Sequence, residues 1–273
     1  MARSDNPAAL GRQTPSAARV YDWYLGGANN FEVDREFGKK VAEALPSIKA
    51  IAAANRAFLR RAVRYLAEHG IRQFLDLGSG IPTVGNVHEI AQQVYPGARV
   101  VYVDHEPVAY NYAKDLLRDN EFASVIQADI RDPETVFDHD ETRRLIDFGQ
   151  PVGLLLISVL PFVAEDPAPL LARYRQPLVR GSYQAITHAS LDAAPEEFVA
   201  RSRESIDSYD NVGQGVTVRD RAEITSWFDD LDLVPPGVVA LPDWLPEGTG
   251  APFTAFGDDL ARFGGLGAVG KVR

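Results

Sequence analysis

Residues 151–158, PVGLLLIS, are apolar almost without a break. A strand wetted on one face alternates apolar and polar residues, so an unbroken run of this length predicts a strand covered on both faces, as in a parallel sheet between helices. Four other segments have strand character: IRQFLDLGSG at 71–80, RVVYVD at 99–104, ASVIQAD at 123–129 and SYQAITHAS at 182–190. Helical stretches separate them: Asn86 to Val94, EPVAYNYAKDLLRD, one or two turns within PETVFDHDETRRLIDF, and DPAPLLARYRQPL. Five strands with four crossings predict a doubly wound α/β sheet of Rossmann-like type. The extended apolar stretch 152–164 contains Pro161 and is too short to cross a bilayer.

The flanks read differently. Residues 1–15 are rich in Pro, Ser, Ala and Gly without periodicity and predict a flexible lead-in. A long helix fits Ser47 to His69, with Ser47 as N-cap, Gly70 just past the end, and Arg56, Arg60, Arg61 and Arg64 on its solvated side. Beyond the fifth strand, EEFVARSRESIDSYD suggests an amphipathic helix, and Asp220 with Glu223 makes a capping box for another. ALPDWLPEGTGAP reads as a loop and LGAVGKV at 266–272 as an edge strand. No linker divides the chain, so 16–273 is expected to be a single domain.

Composition narrows the chemistry. Without cysteine there is no disulfide, thiolate metal site or cysteine nucleophile. Lys and Arg total 28 against 38 Asp and Glu, a net charge of -10 that disfavours extended nucleic acid as a partner. No secretory apolar segment opens the chain, which predicts a cytoplasmic protein. His139 between Asp138 and Asp140 resembles a polar loop more than a ligand set, and no metal site is expected.

The richest constellation is Asp76-Leu77-Gly78-Ser79-Gly80, where a parallel strand becomes a loop. Gly78 and Gly80 permit a sharp turn and close approach of backbone to a ligand, though glycine turns also serve packing. Asp104 ends the next strand and Asp129 the third, so three carboxylates fall at the carboxyl ends of successive strands, where open α/β sheets bind ligands. Asp104 can accept hydrogen bonds from a ribose diol or simply cap a helix, and Asp129 can meet an adenine amino group or cap its loop. Two glycines without the third of a dinucleotide fingerprint weaken an NAD reading. S-adenosylmethionine (SAM) is the alternative, with its amino-acid end at the glycine loop near Asp76 and its ribose on Asp104. Methyl transfer asks the protein chiefly for alignment and exclusion of water, so no triad is needed.

DLGSG followed by NVHEIAQ and RVVYVDHEP, with RVYDWYLGGANNF and ANRAFLRRAVRYLAEHGIRQFLD, resembles the actinobacterial SAM-dependent methyltransferase family long catalogued as a domain of unknown function. The likeness runs from about Ser16 to the C-terminus, and YLGGANNF is its most specific part. It implies a class I methyltransferase fold, a seven-stranded sheet with the last strand antiparallel, plus an N-terminal helical extension. It also implies SAM as cofactor, with Asp76, Gly78 and Gly80 at the methionine end, Asp104 at the ribose, Asp129 and Ile130 near adenine, and His105 beside the nucleoside or facing solvent. Where the family often carries a His after the fourth strand, this chain has Val159-Leu160-Pro161-Phe162, which removes a polar group.

Residues 16–69 are then expected to form a lid over the cofactor, with Tyr21, Asp22, Gly26, Gly27 and Asn30 in it, and 193–216 a cover over the substrate. His188, at the end of the fifth strand, is the best-placed candidate base, with a hydrogen-bonded structural histidine as its other reading. Tyr183 and Tyr209 are weaker pocket candidates. The function these residues favour is methyl transfer from SAM to a small molecule; a non-catalytic SAM sensor or interaction protein and a nucleotide-dependent oxidoreductase are the alternatives.

Overall fold

A computed structural model describes residues 14–82, 85–246 and 259–273. Of the expected lead-in only Thr14 and Pro15 fall within them, and residues 247–252 of the expected loop lie outside.

All five parallel strands form: β1 Gln73–Leu77, β2 Arg99–Asp104, β3 Ala123–Gln127, β4 Gly153–Ile157 and β5 Tyr183–His188. The chain adds β6 Leu231–Leu233, β7 Val239–Ala240 and β8 Leu266–Val272. The sheet runs β3-β2-β1-β4-β5-β8-β6, with β8 antiparallel to β5 and the two-residue β7 also paired to β8. This is the expected seven-stranded path with an antiparallel member, extended by β7. The winding reverses between β1 and β4, which puts the switch point and its crevice there.

Alternation along the strands builds two core layers. Phe74, Val100, Leu155 and Ala185 face one layer, against α3 (Ile48–Glu68), α4 (Val87–Val94) and α5 (Pro107–Leu116). Leu75, Leu77, Val101, Leu154 and Ile186 face the other, against α6 (Pro133–Asp138), α7 (Asp140–Leu145), α8 (Ala168–Arg175) and α10 (Arg221–Ser226). A third, smaller core joins α1 (Ala17–Tyr24) and α2 (Glu32–Ala44) to α3 and α9 (Glu196–Asp210) through Val20, Tyr24, Val41, Ala52 and Tyr209. Among the described residues, no helix is long and apolar enough to cross a membrane.

The structure corrects three expectations. The strand at 266–272 is interior, between β5 and β6, because its glycines admit aromatic rings: a Cβ on Gly267 would stand 2.6 Å from Phe58 and one on Gly270 2.7 Å from Phe228. β3 stops at Gln127, leaving Asp129 in the following loop. Two of the four arginines on α3 are not solvated. Arg61 donates to the carbonyls of Leu241 (2.7 Å) and Trp244 (2.9 Å), and burial lowers its pKa to about 10. Arg56 turns toward the crevice and donates to Asn86 Oδ1 at 3.0 Å.

Candidate active site

A cavity of about 760 Å³ opens at the carboxyl ends of the parallel strands, roofed by α1, α3 and α9. That volume is in the range of cofactor-sized sites. Because strands lie about 4.8 Å apart, β2 and β5 stand roughly 14 Å from each other and the cavity has two distinct ends.

The β1–β3 end is acidic. Asp76 is aligned with Tyr102 and Leu155 and so falls on the α3 side of the sheet. Its carboxyl is buried, which pushes its pKa up to about 7; Arg56 opposes the rise and Asp104 adds to it. Asp104 accepts from Gly80 N–H at 2.7 Å and Glu106 N–H at 2.9 Å, and burial outweighs these bonds in raising its pKa. Each of its oxygens keeps a lone pair for a ligand. The two glycines differ in purpose. Both have positive φ, but a Cβ on Gly78 would meet Val159 at 2.2 Å, whereas one on Gly80 would enter open space at the cavity. Asp129 and Ile130 line the same end. The Asp129 carboxylate is gripped by Arg131 at 2.6 Å, which lowers its pKa. His105 stands exposed at the rim, 3.9 Å from Asp104 Oδ1.

The amides of the glycine loop are spoken for. Gly78 and Ser79 donate to the Val103 carbonyl at 2.8 and 3.0 Å, and Gly80 donates to Asp104. A pyrophosphate would find these donors occupied and carboxylates facing it, which counts against a dinucleotide. A ligand with positive charge and a ribose diol fits these carboxylate acceptors, and SAM carries both.

The N-terminal residues divide. Tyr21 reaches the cavity, donating to the Ala52 carbonyl at 3.1 Å and accepting from Asn55 Nδ2 at 2.8 Å. Asp22, Gly26, Gly27 and Asn30 are not brought to it. Asp22 Oδ2 accepts from Asn29 N–H (2.9 Å) and Asn30 Nδ2 (2.8 Å), and a Cβ on Gly27 would collide with Asp22 Oδ1 at 2.1 Å. These residues close a turn upon themselves, which is why they gather polar groups beside aromatic surface.

Arg19 ties this extension to the site. Buried on all sides, it donates to Asp34 Oδ2 at 2.8 Å and Glu106 Oε1 at 2.7 Å. Asp34 in turn accepts from Ser16 N–H and Phe31 N–H. Glu106 caps α5 through Ala109 N–H, two residues from Asp104. Across the mouth, Gln214 bonds Ala17 N–H and the Pro15 carbonyl, and the hydroxyls of Tyr24 and Tyr209 meet at 3.1 Å.

The β4–β5 end is held by a relay. Ser158 N–H donates to Thr187 Oγ1 (2.8 Å), whose hydroxyl donates to Asn55 Oδ1 (2.7 Å). Ser158 has φ 58, a left-handed conformation unusual without glycine and one that clusters at functional sites. His188 lines this end but its ring is committed: Nδ1 bonds the Ala189 carbonyl at 2.8 Å and Nε2 accepts from Arg219 at 2.9 Å. Burial and the Arg219 charge lower its pKa to about 4. Both ring nitrogens of His188 are thus engaged by the protein itself.

Arg19, Asn55, Arg56, Glu106, Ser158 and Thr187 escaped the sequence reading. Asn55 had a signal, a lone amide in the alanine-rich buried stripe of α3, and Glu106 had another, an N-cap before Pro107.

Against this geometry, the sequence profile of the S-adenosyl methyltransferase family matches residues 3–270. The chain belongs to that family. SAM is thus the cofactor of this methyltransferase, and the acidic end of the cavity fits it. A DUF574 family protein of Streptomyces avermitilis shares 34% identity over 97% of this methyltransferase and 100% of its own chain, with a TM-score of 0.89. A solved structure from Thermobifida fusca, described as a candidate methyltransferase, shares 38% identity over 99% and 100%, with a TM-score of 0.88. Both sources are actinobacteria, as the motif resemblance implied. No curated protein matches this methyltransferase in sequence.

Proposed function

We propose that this methyltransferase moves a methyl group from SAM directly to a small-molecule acceptor lodged at the β4–β5 end of the cavity. One observation carries the reading: a continuous cavity joins an acidic end beside the glycine loop to an end without charged side chains among the described residues. Asp104 accepts from the ribose hydroxyls, Asp76 faces the amino-acid ammonium, and Ile130 covers the adenine with Asp129 at its edge. Bound there, SAM supplies an electrophilic methyl whose sulfur leaves as a neutral thioether, with no need of an acid.

The chain's own part is alignment and exclusion of water. The Ser158–Thr187–Asn55–Tyr21 relay stiffens the wall where donor and acceptor meet. Residues 16–69 form the lid through α1 and α3, and 193–216 the substrate cover through α9. With both ring nitrogens of His188 engaged, that ring is not open to take a proton from the acceptor. Occupied loop amides speak against the oxidoreductase alternative.

Calorimetric titration with SAM and, separately, NADH is the test. SAM is expected to bind and NADH not to. Asp104→Ala should weaken SAM about 10- to 100-fold, the worth of one or two hydrogen bonds to a charged acceptor. NADH binding, or unchanged SAM affinity in that variant, would overturn the assignment.

A further inference from the structure

We propose that the acceptor is an uncharged, largely apolar molecule bearing a hydrogen-bond-accepting oxygen, and that this oxygen takes the free proton of the Tyr24–Tyr209 hydroxyl pair. The inference deepens the methyl-transfer reading above and rests on it.

The charged side chains lining the cavity, such as Asp76, Asp104 and Glu106, gather toward β1–β3, and Arg19 and Arg56 are turned to that end. Apolar Ile48, Phe162, Ile206 and Val216 line the cavity, and the polar side chains among them, Ser202 and Ser205 of α9, are uncharged. An ionised ligand there would lose its hydration without gaining a counter-charge, a cost of several kcal/mol. Phe162 is 41% exposed, although its ring lies 6.4 Å from that of Tyr209. A large apolar side chain left open inside a cavity is covered when an apolar ligand enters.

The tyrosine pair supplies the polar element. Tyr24 and Tyr209 are 6% and 9% exposed and both line the cavity. Their hydroxyls hold two protons, of which the 3.1 Å bond between them uses one. Among the described residues nothing accepts the second. Buried donors are rarely left unmet, because desolvation without a partner costs about 1–3 kcal/mol. Burial raises the pKa of both groups, Tyr209 to about 12, so both keep their protons at neutral pH. A carbonyl, ether or hydroxyl oxygen of a ligand completes the pair.

The test uses the full chain loaded with S-adenosylhomocysteine, which binds the cofactor end without reacting. Three naphthalenes are titrated by calorimetry: 2-acetylnaphthalene, 2-ethylnaphthalene and naphthalene-2-carboxylate. The ketone should bind about fivefold tighter than the hydrocarbon, the value of one neutral hydrogen bond, and more than about 100-fold tighter than the anion. Tyr24→Phe combined with Tyr209→Phe should abolish the ketone's advantage over the hydrocarbon, read as the ratio of the two affinities in the same S-adenosylhomocysteine-saturated variant. Equal or tighter binding of the carboxylate, a ketone advantage that survives the double substitution, or no ketone binding at all would overturn the proposal. Failure of S-adenosylhomocysteine itself to bind would instead overturn the cofactor assignment beneath it.

Discussion

At Asp76 a carboxyl is buried between Arg56 and Asp104 with a pKa near 7, against an ordinary 3.8. The folded chain therefore holds this proton more tightly than the unfolded one. Its contribution to stability is fully present below about pH 4 and is lost as pH rises through about 7. Ligand-free protein should accordingly lose thermal stability across that window by more than the Asp76→Asn variant does, a difference readable by differential scanning fluorimetry at matched pH. A cationic cofactor favours the ionised carboxylate, so SAM affinity should climb from pH 6 to pH 8 in the parent and stay flat in Asp76→Asn; a parallel climb in both would remove Asp76 from the site. His188 makes the opposite prediction. Since Arg219 and the Ala189 carbonyl consume its ring nitrogens, His188→Gln should cost about 1–3 kcal/mol of stability in urea denaturation. Methyl transfer, once an acceptor is in hand, should keep the shape of its pH profile in that variant; loss of the acid limb would restore His188 as a base.

At the scale of elements, α3 and β8 are fitted to one another. The buried stripe of α3 includes Ala54, Ala57, Phe58 and Ala62, small residues around one large ring, and Phe58 settles onto the bare backbone of Gly267. Gly267→Ala would drive a methyl group to 2.6 Å from that ring. Overpacking of this kind costs about 1–3 kcal/mol, so the midpoint of chemical denaturation should fall visibly. Gly237→Ala provides the contrast, since a Cβ there meets nothing within 4 Å and only the positive φ of 84 resists it. Equal losses in both variants would mean that the ring does not set the spacing. The same contact explains why β8 lies inside the sheet rather than at its edge: glycine weakens an isolated strand but lets a central one carry a helix close by.

Across the whole molecule, the N-terminal extension and α9 share a core that belongs to neither main layer, built on Val20, Tyr24, Val41 and Tyr209. One buried guanidinium ties it to the loop after β2, beside the Tyr21–Asn55–Thr187 bonds that reach β5. Arg19→Ala would leave Asp34, fully buried, without its charge partner, a loss of about 3–5 kcal/mol in such settings. Hydrogen exchange should then speed up in α1 and α2 while β1, β2, β4 and β5 keep their protection, and SAM affinity should drop because Glu106 is released beside Asp104. Uniform acceleration over the whole chain would mean that the extension is not a separable lid.

Chain order and periodicity were enough to foretell the five parallel strands and the arrival of Asp76, Gly80 and Asp104 at one crevice, since every strand of a parallel sheet delivers its carboxyl end to the same side. Short β6 and β7 left no comparable trace, having too few residues for a period. Asp22, Gly26, Gly27 and Asn30 lie outside the cavity lining, and a turn that bonds its own polar groups through Asp22 Oδ2 is composed much like a surface that awaits a ligand. His188 could be judged only with Arg219 in view, 31 residues away, and the tyrosine pair only with its halves, 185 positions apart, folded together. Whether a polar side chain is free or engaged depends on neighbours distant in sequence, and the folded core is what brings those neighbours within bonding distance.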